Sequence, residues 1–176
     1  MDINPNNPQR QLDEQILEQV RRLFDLVRAG ETEQLKRLFA MGLVPNLLDG
    51  QGNSLLMLAI YHGHVETAEV ILQHGGDPAL INDRGQSPLA AAAFKGDTRC
   101  LQLLLDYGAD VDTRPSGGKT ALMYAAMFDR VAIVKQLVEL GANRDLIDDK
   151  GMTAQQLAAA MGAHEAGLAI ENHLRH

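Results

Sequence analysis

The chain has 176 residues, a formal net charge of −7 and a hydrophobic content of 45%, with no Trp and 4% aromatics. This composition excludes intrinsic disorder and favours a core of closely packed Leu, Ala, Val, Ile and Met, while the excess of 23 Asp and Glu over 16 scattered Lys and Arg argues against nucleic acid or an anionic membrane as partner. Cys100 is the sole cysteine and permits no intrachain disulfide; the opening Met1-Asp-Ile-Asn-Pro lacks the parts of a secretory signal, and no apolar run approaches the ~20 residues of a membrane span, so a cytoplasmic location is expected.

In chain order, residues 1–11 carry two prolines with several Asn and Gln and are expected to form a disordered tail. An amphipathic helix follows, from Leu12 to Arg28, with Ile16, Val20, Leu23 and Val27 as its apolar stripe. Beyond it the chain repeats. Gly42, Gly75, Gly108 and Gly141 step by 33 residues, as do Gly52, Gly85, Gly118 and Gly151. Gly30, Gly63 and Gly96 keep the same step, skip Asp129 and resume at Gly162. Ser54, Ser87, Thr120 and Thr153 form the fourth such series, and four series on one period without an insertion are not chance.

Each series has a physical reason. The Ser and Thr positions precede short apolar runs and suit a helix N-cap. Pro88 sits where the first helical N–H is dispensable, and Thr153 with Gln156 has capping-box spacing. The glycines about nine residues on suit a left-handed reversal into a second helix, which Asp129 can also adopt. Leu56, Leu58 and Ala59 line one first helix, Leu89, Ala91 and Ala92 the next, then Leu122, Tyr124 and Ala125. In the second helices Ala68, Ile71 and Leu72 match Leu101, Leu104 and Leu105, then Val134, Leu137 and Val138.

The period, with Asp49-Gly-Gln-Gly-Asn-Ser-Leu-Leu-Met-Leu-Ala59, Gly85-Gln-Ser-Pro-Leu-Ala-Ala-Ala-Ala93 and Leu103-Leu-Leu-Asp-Tyr-Gly-Ala-Asp-Val-Asp112, resembles the ankyrin repeat from about Leu17 onward. The Ser-Pro-Leu-Ala and Thr-Ala-Leu-Met variants resemble those of small bacterial ankyrin proteins. The resemblance implies an all-α solenoid of about five helix–turn–helix units, at residues 12–48, 49–81, 82–114, 115–147 and 148–176. β-turn fingers should project from one side, and the end units should act as caps, the last through Glu171-Asn-His-Leu-Arg-His176. The family's usual first-helix His is replaced by Met57, Ala90, Met123 and Gln156, so each cap is expected to lose a helper hydrogen bond. Pro115 stands where an Asp is usual, so the finger Arg114-Pro-Ser-Gly-Gly-Lys-Thr120 is expected to be distorted or mobile.

Catalytic chemistry finds no footing. Gly118-Lys119-Thr120 lacks the earlier glycine and the strand of a phosphate loop. His64 reads as structural and His62 as a surface residue; Cys100 reads as a small buried hydrophobe, and Asp148 and Asp149 as turn formers. No enzyme, cofactor or metal is expected. The resemblance instead implies binding of another protein through the concave face and the fingers. Residues just before the inter-helix glycines would face that groove: Tyr61, His62, Phe94, Lys95, Met127, Phe128 and Met161, with Arg130 on the rim. Tyr, Phe and Met are types enriched at interface cores. The competing reading folds these aromatics sideways onto adjacent repeats. Gln51, Asp83, Arg84, Ser116, Lys119, Asp149 and Lys150 at the finger tips would add polar contacts. A monomer binding one folded partner, as adaptor or inhibitor, is the leading expectation. A homodimer through the amphipathic N-terminal helix is the alternative.

Overall fold

The computed structural model describes residues 8–115 and 117–172. Ten helices among them form five pairs: α1 (Pro8–Ala29) with α2 (Thr32–Ala40), α3 (Leu55–Tyr61) with α4 (Val65–Gln73), α5 (Pro88–Lys95) with α6 (Thr98–Asp106), α7 (Ala121–Met127) with α8 (Val131–Glu139), and α9 (Ala154–Met161) with α10 (His164–Asn172). The first helices of successive pairs pack on one another as one layer, and the second helices pack as another. Ala59, Ala92, Ala125 and Ala158, at 33-residue steps, are all fully buried in the first layer. Their single methyl groups let the helices approach closely. Leu35, Ile71, Leu104 and Leu137 are fully buried on the second helices, each contributing about 1.5–3 kcal/mol of burial.

The expected caps form. Ser54, Ser87 and Thr120 accept from the backbone N–H groups of Met57, Ala90 and Met123 at 3.0, 3.2 and 3.3 Å. Those three residues are buried apolar side chains with no acceptor to return. Gln156 departs from the expected loss: its Oε1 accepts from Thr153 N at 2.9 Å, completing a capping box.

Every pair reverses through a residue at positive φ: Gly30 at 73°, Gly63 at 75°, Gly96 at 78°, Asp129 at 53° and Gly162 at 71°. Asp129 also does something glycine cannot. Its Oδ1 accepts from Ala166 N at 2.8 Å, in the first turn of α10 in the following unit, where an unpaired N–H and the helix dipole both favour a carboxylate.

The fingers share a second device. Asp49 Oδ1 accepts from Gln51 N and Asn53 N, both at 2.9 Å. Asn82 and Asp148 repeat the pattern, with Arg84 and Gln86 and with Lys150 and Met152. Antiparallel bridges Leu48–Ser54 and Ile147–Thr153 close the first and last of these turns. At the equivalent place Pro115 has no side-chain acceptor; its carbonyl takes the N–H of Gly118 at 2.8 Å as the carbonyls of Asp49, Asn82 and Asp148 do in their fingers, and Gly117 joins Gly118 at positive φ. This finger thus keeps the backbone turn bond of the others without their paired side-chain acceptor bonds.

The N-terminal end differs from expectation. α1 begins at Pro8, not Leu12, a proline being harmless in a first helical turn; residues 1–7 of the expected tail, and 173–176 of the expected cap, lie outside the described residues. Only the second half of the α1 stripe is core: Leu23, Phe24 and Val27 are buried, whereas Ile16 is 52% and Val20 37% exposed. A helix of 22 residues is about 33 Å long. Its neighbour α3, with seven residues, covers about 10 Å, so α1 outruns its support.

Three expectations follow. Gly96→Val should cost at least about 2 kcal/mol in urea unfolding, because a β-branched residue resists φ 78° and its Cβ would meet Arg130 Cδ at 3.0 Å. A midpoint equal to wild type would contradict this. Asp129→Ala should lose about 1–2 kcal/mol, while Asp129→Asn, which keeps an acceptor and tolerates the left-handed turn, should lose less than half as much. The carboxyl of Asp148 is held below the usual range, first by the Met152 N–H, then by Lys119 and the Lys150 N–H, against a smaller opposing effect of burial. The resulting stability is complete above the unfolded-state value near 4 and is lost as pH falls through the folded value. Asp148→Asn should therefore flatten the acid limb of a stability–pH curve while leaving the chain folded at neutral pH, as Asn82 already serves the same turn.

Candidate functional site

An open cleft of about 880 Å³ lies between α1, α3 and the first two complete fingers. Leu17, Val20, Phe24 and Arg28 form its α1 wall, Tyr61 and His62 its floor, and Gln51 and Arg84 its finger edge. Four expected residues, Gln51, Tyr61, His62 and Arg84, thus share one concavity. The α1 wall lies outside the expected groove residues, although the amphipathic N-terminal helix was expected as a possible contact between copies.

The helix reversals place the expected groove residues side by side in successive units. Tyr61 is 42% exposed, with the Lys95 ammonium 4.9 Å from its ring centroid and the His62 ring edge-on at 5.7 Å. Phe94 and Phe128 meet edge to face at 4.6 Å, and Phe128 stays 38% exposed. The sideways packing and the exposed stripe therefore coexist: the rings brace one another across repeats and still present their outer edges. Met127 instead leans onto the core, half-buried, while Met161 is exposed.

Cations gather at this row. Burial, then the proximity of His64, Arg28 and Lys95, holds the His62 pKa below its ordinary value, so the imidazole is neutral at pH 7. Arg28 is bound by Asp25 at 2.9 Å and Asp49 at 3.3 Å. Burial raises the Asp49 pKa, but the N–H groups of Gln51 and Asn53, the Asn53 amide and Arg28 together outweigh it and keep the carboxyl ionised.

Arg130 is exposed and also ties its unit to the preceding one. His64 Nε2 donates to the Arg28 carbonyl at 2.8 Å, and Arg130 Nε donates to the Phe94 carbonyl at 3.0 Å. Both reach back 36 residues to the end of the preceding first helix. Asp97 stands in the same register between them. A carboxylate cannot donate to a carbonyl, and it caps α6 instead, accepting from Arg99 N and Cys100 N.

Among the finger residues Asp83, Asp149 and Lys150 are exposed. Asp83 donates its N–H to the Gln51 carbonyl at 3.1 Å, and Lys119 pairs with Asp148 at 3.2 Å. Ser116 lies outside the described residues. Cys100 is fully buried, and burial first, then Asp97, pushes its thiol up to about 12, which leaves no reactive thiolate. Among the described residues no group of three or more His, Cys, Asp or Glu comes together to hold a metal, and no helix is long and apolar enough to cross a membrane.

A family model for ankyrin repeats, in three copies, matches residues 23–115 and 112–170. A putative ankyrin repeat protein of Pseudomonas aeruginosa is 47% identical over 65 residues, which is 37% of this chain and 38% of that protein. The matched segment thus spans well under half the length of this relative. Ankyrin repeats are generally protein–protein interaction modules. The uninterrupted 33-residue period, the left-handed reversals, the paired helix layers and the family match over most of the length agree: the chain belongs to the ankyrin-repeat family.

Proposed function

We propose that the chain is a non-enzymatic adaptor or inhibitor that holds a folded partner protein against its groove and fingers. The observation that carries this reading is the row formed by Tyr61, Lys95, Phe94 and Phe128. These side chains meet in two pairs across repeats, Lys95 on the Tyr61 ring and Phe94 against Phe128, and stay outside the core cluster, with Tyr61 lining the open cleft. Aromatics so braced lose little rotamer freedom on binding, so more of the contact energy reaches the complex. The finger-tip residues Gln51, Arg84, Asp149 and Lys150 supply polar contacts around the row. Lys119, already paired with Asp148, contributes less. A cytoplasmic setting suits the single buried thiol, and a bacterial source suits the Pseudomonas aeruginosa relative.

The test is affinity capture from the native lysate with mass spectrometry, comparing wild type with a Phe94→Asp, Phe128→Asp double variant. Removing the ring pair should cost about 0.5–1.5 kcal/mol of stability and leave a folded chain by circular dichroism. A protein recovered by wild type and lost by the variant is the expected result. Equal recovery by both would move the site off this row, and an unfolded variant would show that Phe94 belongs to the core.

A further inference from the structure

Charge is divided unevenly between the two helix layers. Lys95 is the sole charged side chain of α3, α5, α7 and α9. The second helices α2, α4, α6, α8 and α10 carry seven carboxylates against four Lys and Arg. α1 is balanced, with four carboxylates and four arginines. The excess behind the net charge of −7 therefore lies mainly on the second helices and the loops after them, where Asp77, Asp110, Asp112 and Asp145 stand, and not on the groove side.

The cleft beside α1 repeats this bias at short range. Arg21, Arg28 and Arg84 line it, with Asp25 and Asp49 as its carboxylates. Both carboxylates are taken up by Arg28, at 2.9 and 3.3 Å. Lys95 is exposed and stands over the Tyr61 ring of the cleft floor, 4.9 Å from its centroid. Among the described residues neither Lys95 nor Arg84 forms an ion pair. Glu18 lies 3.9 Å from Arg21 but outside the lining, as do the exposed finger carboxylates Asp83 and Asp149. Asp97, next to the Gly63 reversal, has one oxygen committed to its own helix. After burial, the fields of His64, Arg28 and Lys95 keep His62 neutral, an independent sign of positive potential at this place. Tyr61 and Leu48 expose apolar surface beside these cations.

We infer that the partner presents an acidic segment of polypeptide to this cleft, with carboxylates over Lys95 and Arg84 and apolar side chains against Tyr61 and Leu48. The inference rests on the groove reading and adds the chemistry of what the groove takes. Lys95 and Arg84 gain a counter-charge only when the partner brings one, and a basic segment in the same place would meet like charge. Complementarity of this kind governs partner choice and association rate more than affinity. A nucleic acid would supply anions as well, but its long charged backbone is repelled by the acidic second layer.

Fluorescence anisotropy with two labelled synthetic peptides tests the inference. They share one pattern of leucines, with glutamates at the intervening positions of one and lysines at those of the other. The full chain should bind the acidic peptide at least about tenfold more tightly than the basic one at low salt and lose most of that preference at high salt. Lys95→Glu with Arg84→Glu should abolish the preference and leave the circular dichroism unchanged, since both side chains are exposed. Arg99→Glu with Lys135→Glu makes the same change in net charge on exposed positions of α6 and α8 and should keep the preference. Equal binding of the two peptides, binding of neither, or a preference that survives in the Lys95, Arg84 variant would overturn the inference. So would its loss in the Arg99, Lys135 variant, or displacement of the acidic peptide by an equal amount of single-stranded DNA. A native protein retained by the Lys95→Glu, Arg84→Glu chain but lost by the Phe94→Asp, Phe128→Asp chain would remove the acidic partner and leave the groove reading standing.

Discussion

The structure depends on one backbone constraint: between the two helices of each unit the chain must pass through a left-handed residue. Four of the five reversals use glycine, and their φ values span only 71° to 78°. That constancy sets the angle at which each second helix leaves the first, and so lets unlike side chains stack in register over the whole length. An L-residue resists this conformation by about 1–2 kcal/mol, so a substitution survives where the new side chain gives something back. Asp129 does so by accepting the Ala166 N–H of the following unit.

The reversal is tied to the neighbouring unit as well. The ring of His64 lies so close under Gly30 that a Cβ there would sit 2.7 Å from Nδ1. Its bond to the Arg28 carbonyl ends one helix and begins the contact with the next. Thr32 and Thr67 share a hydroxyl hydrogen bond at 2.7 Å, and the loops are joined by Asn46 to Asp77 N and Asp112 to Asn143 N. Stability of this kind is a sum over units and nearest-neighbour interfaces, and here the interface share includes specific polar links as well as apolar area.

Much of the fold was legible because the repeat reports the same physics several times. The N-cap hydroxyls, the Pro88 start, the left-handed Asp129 and the structural His64 each follow from a residue type at a fixed register, and one unit checks another. Legibility failed where the period gives no second copy. The extent of α1 could not be read, since Pro8 suits a tail and a helix start equally, and since the stripe at Ile16 and Val20 looks the same whether or not a neighbour reaches it. The groove was legible as a row of positions but not as contacts. Sequence placed Tyr61, Phe94 and Phe128 one unit apart, yet could not say that Lys95 would sit on the tyrosine ring or that the phenylalanines would meet edge to face. Nor was the bond legible that exposed Arg130 makes to the Phe94 carbonyl, because its backward reach of 36 residues becomes visible only beside His64.

The register shared by His64, Asp97 and Arg130 also bears on how such a chain can change over time. Each of these residues answers a particular neighbour: a ring under Gly30, a carboxylate turned onto its own helix, a guanidinium on the Phe94 carbonyl. Asp129 likewise answers a specific N–H in the unit that follows it. The units therefore share an outline but are not interchangeable parts. Swapping the third and fourth would leave Asp129 facing a unit that already carries its own cap. Duplication at the ends changes fewer of these pairings than permutation within, so the interior order is constrained by chemistry even where the period would permit any sequence of units.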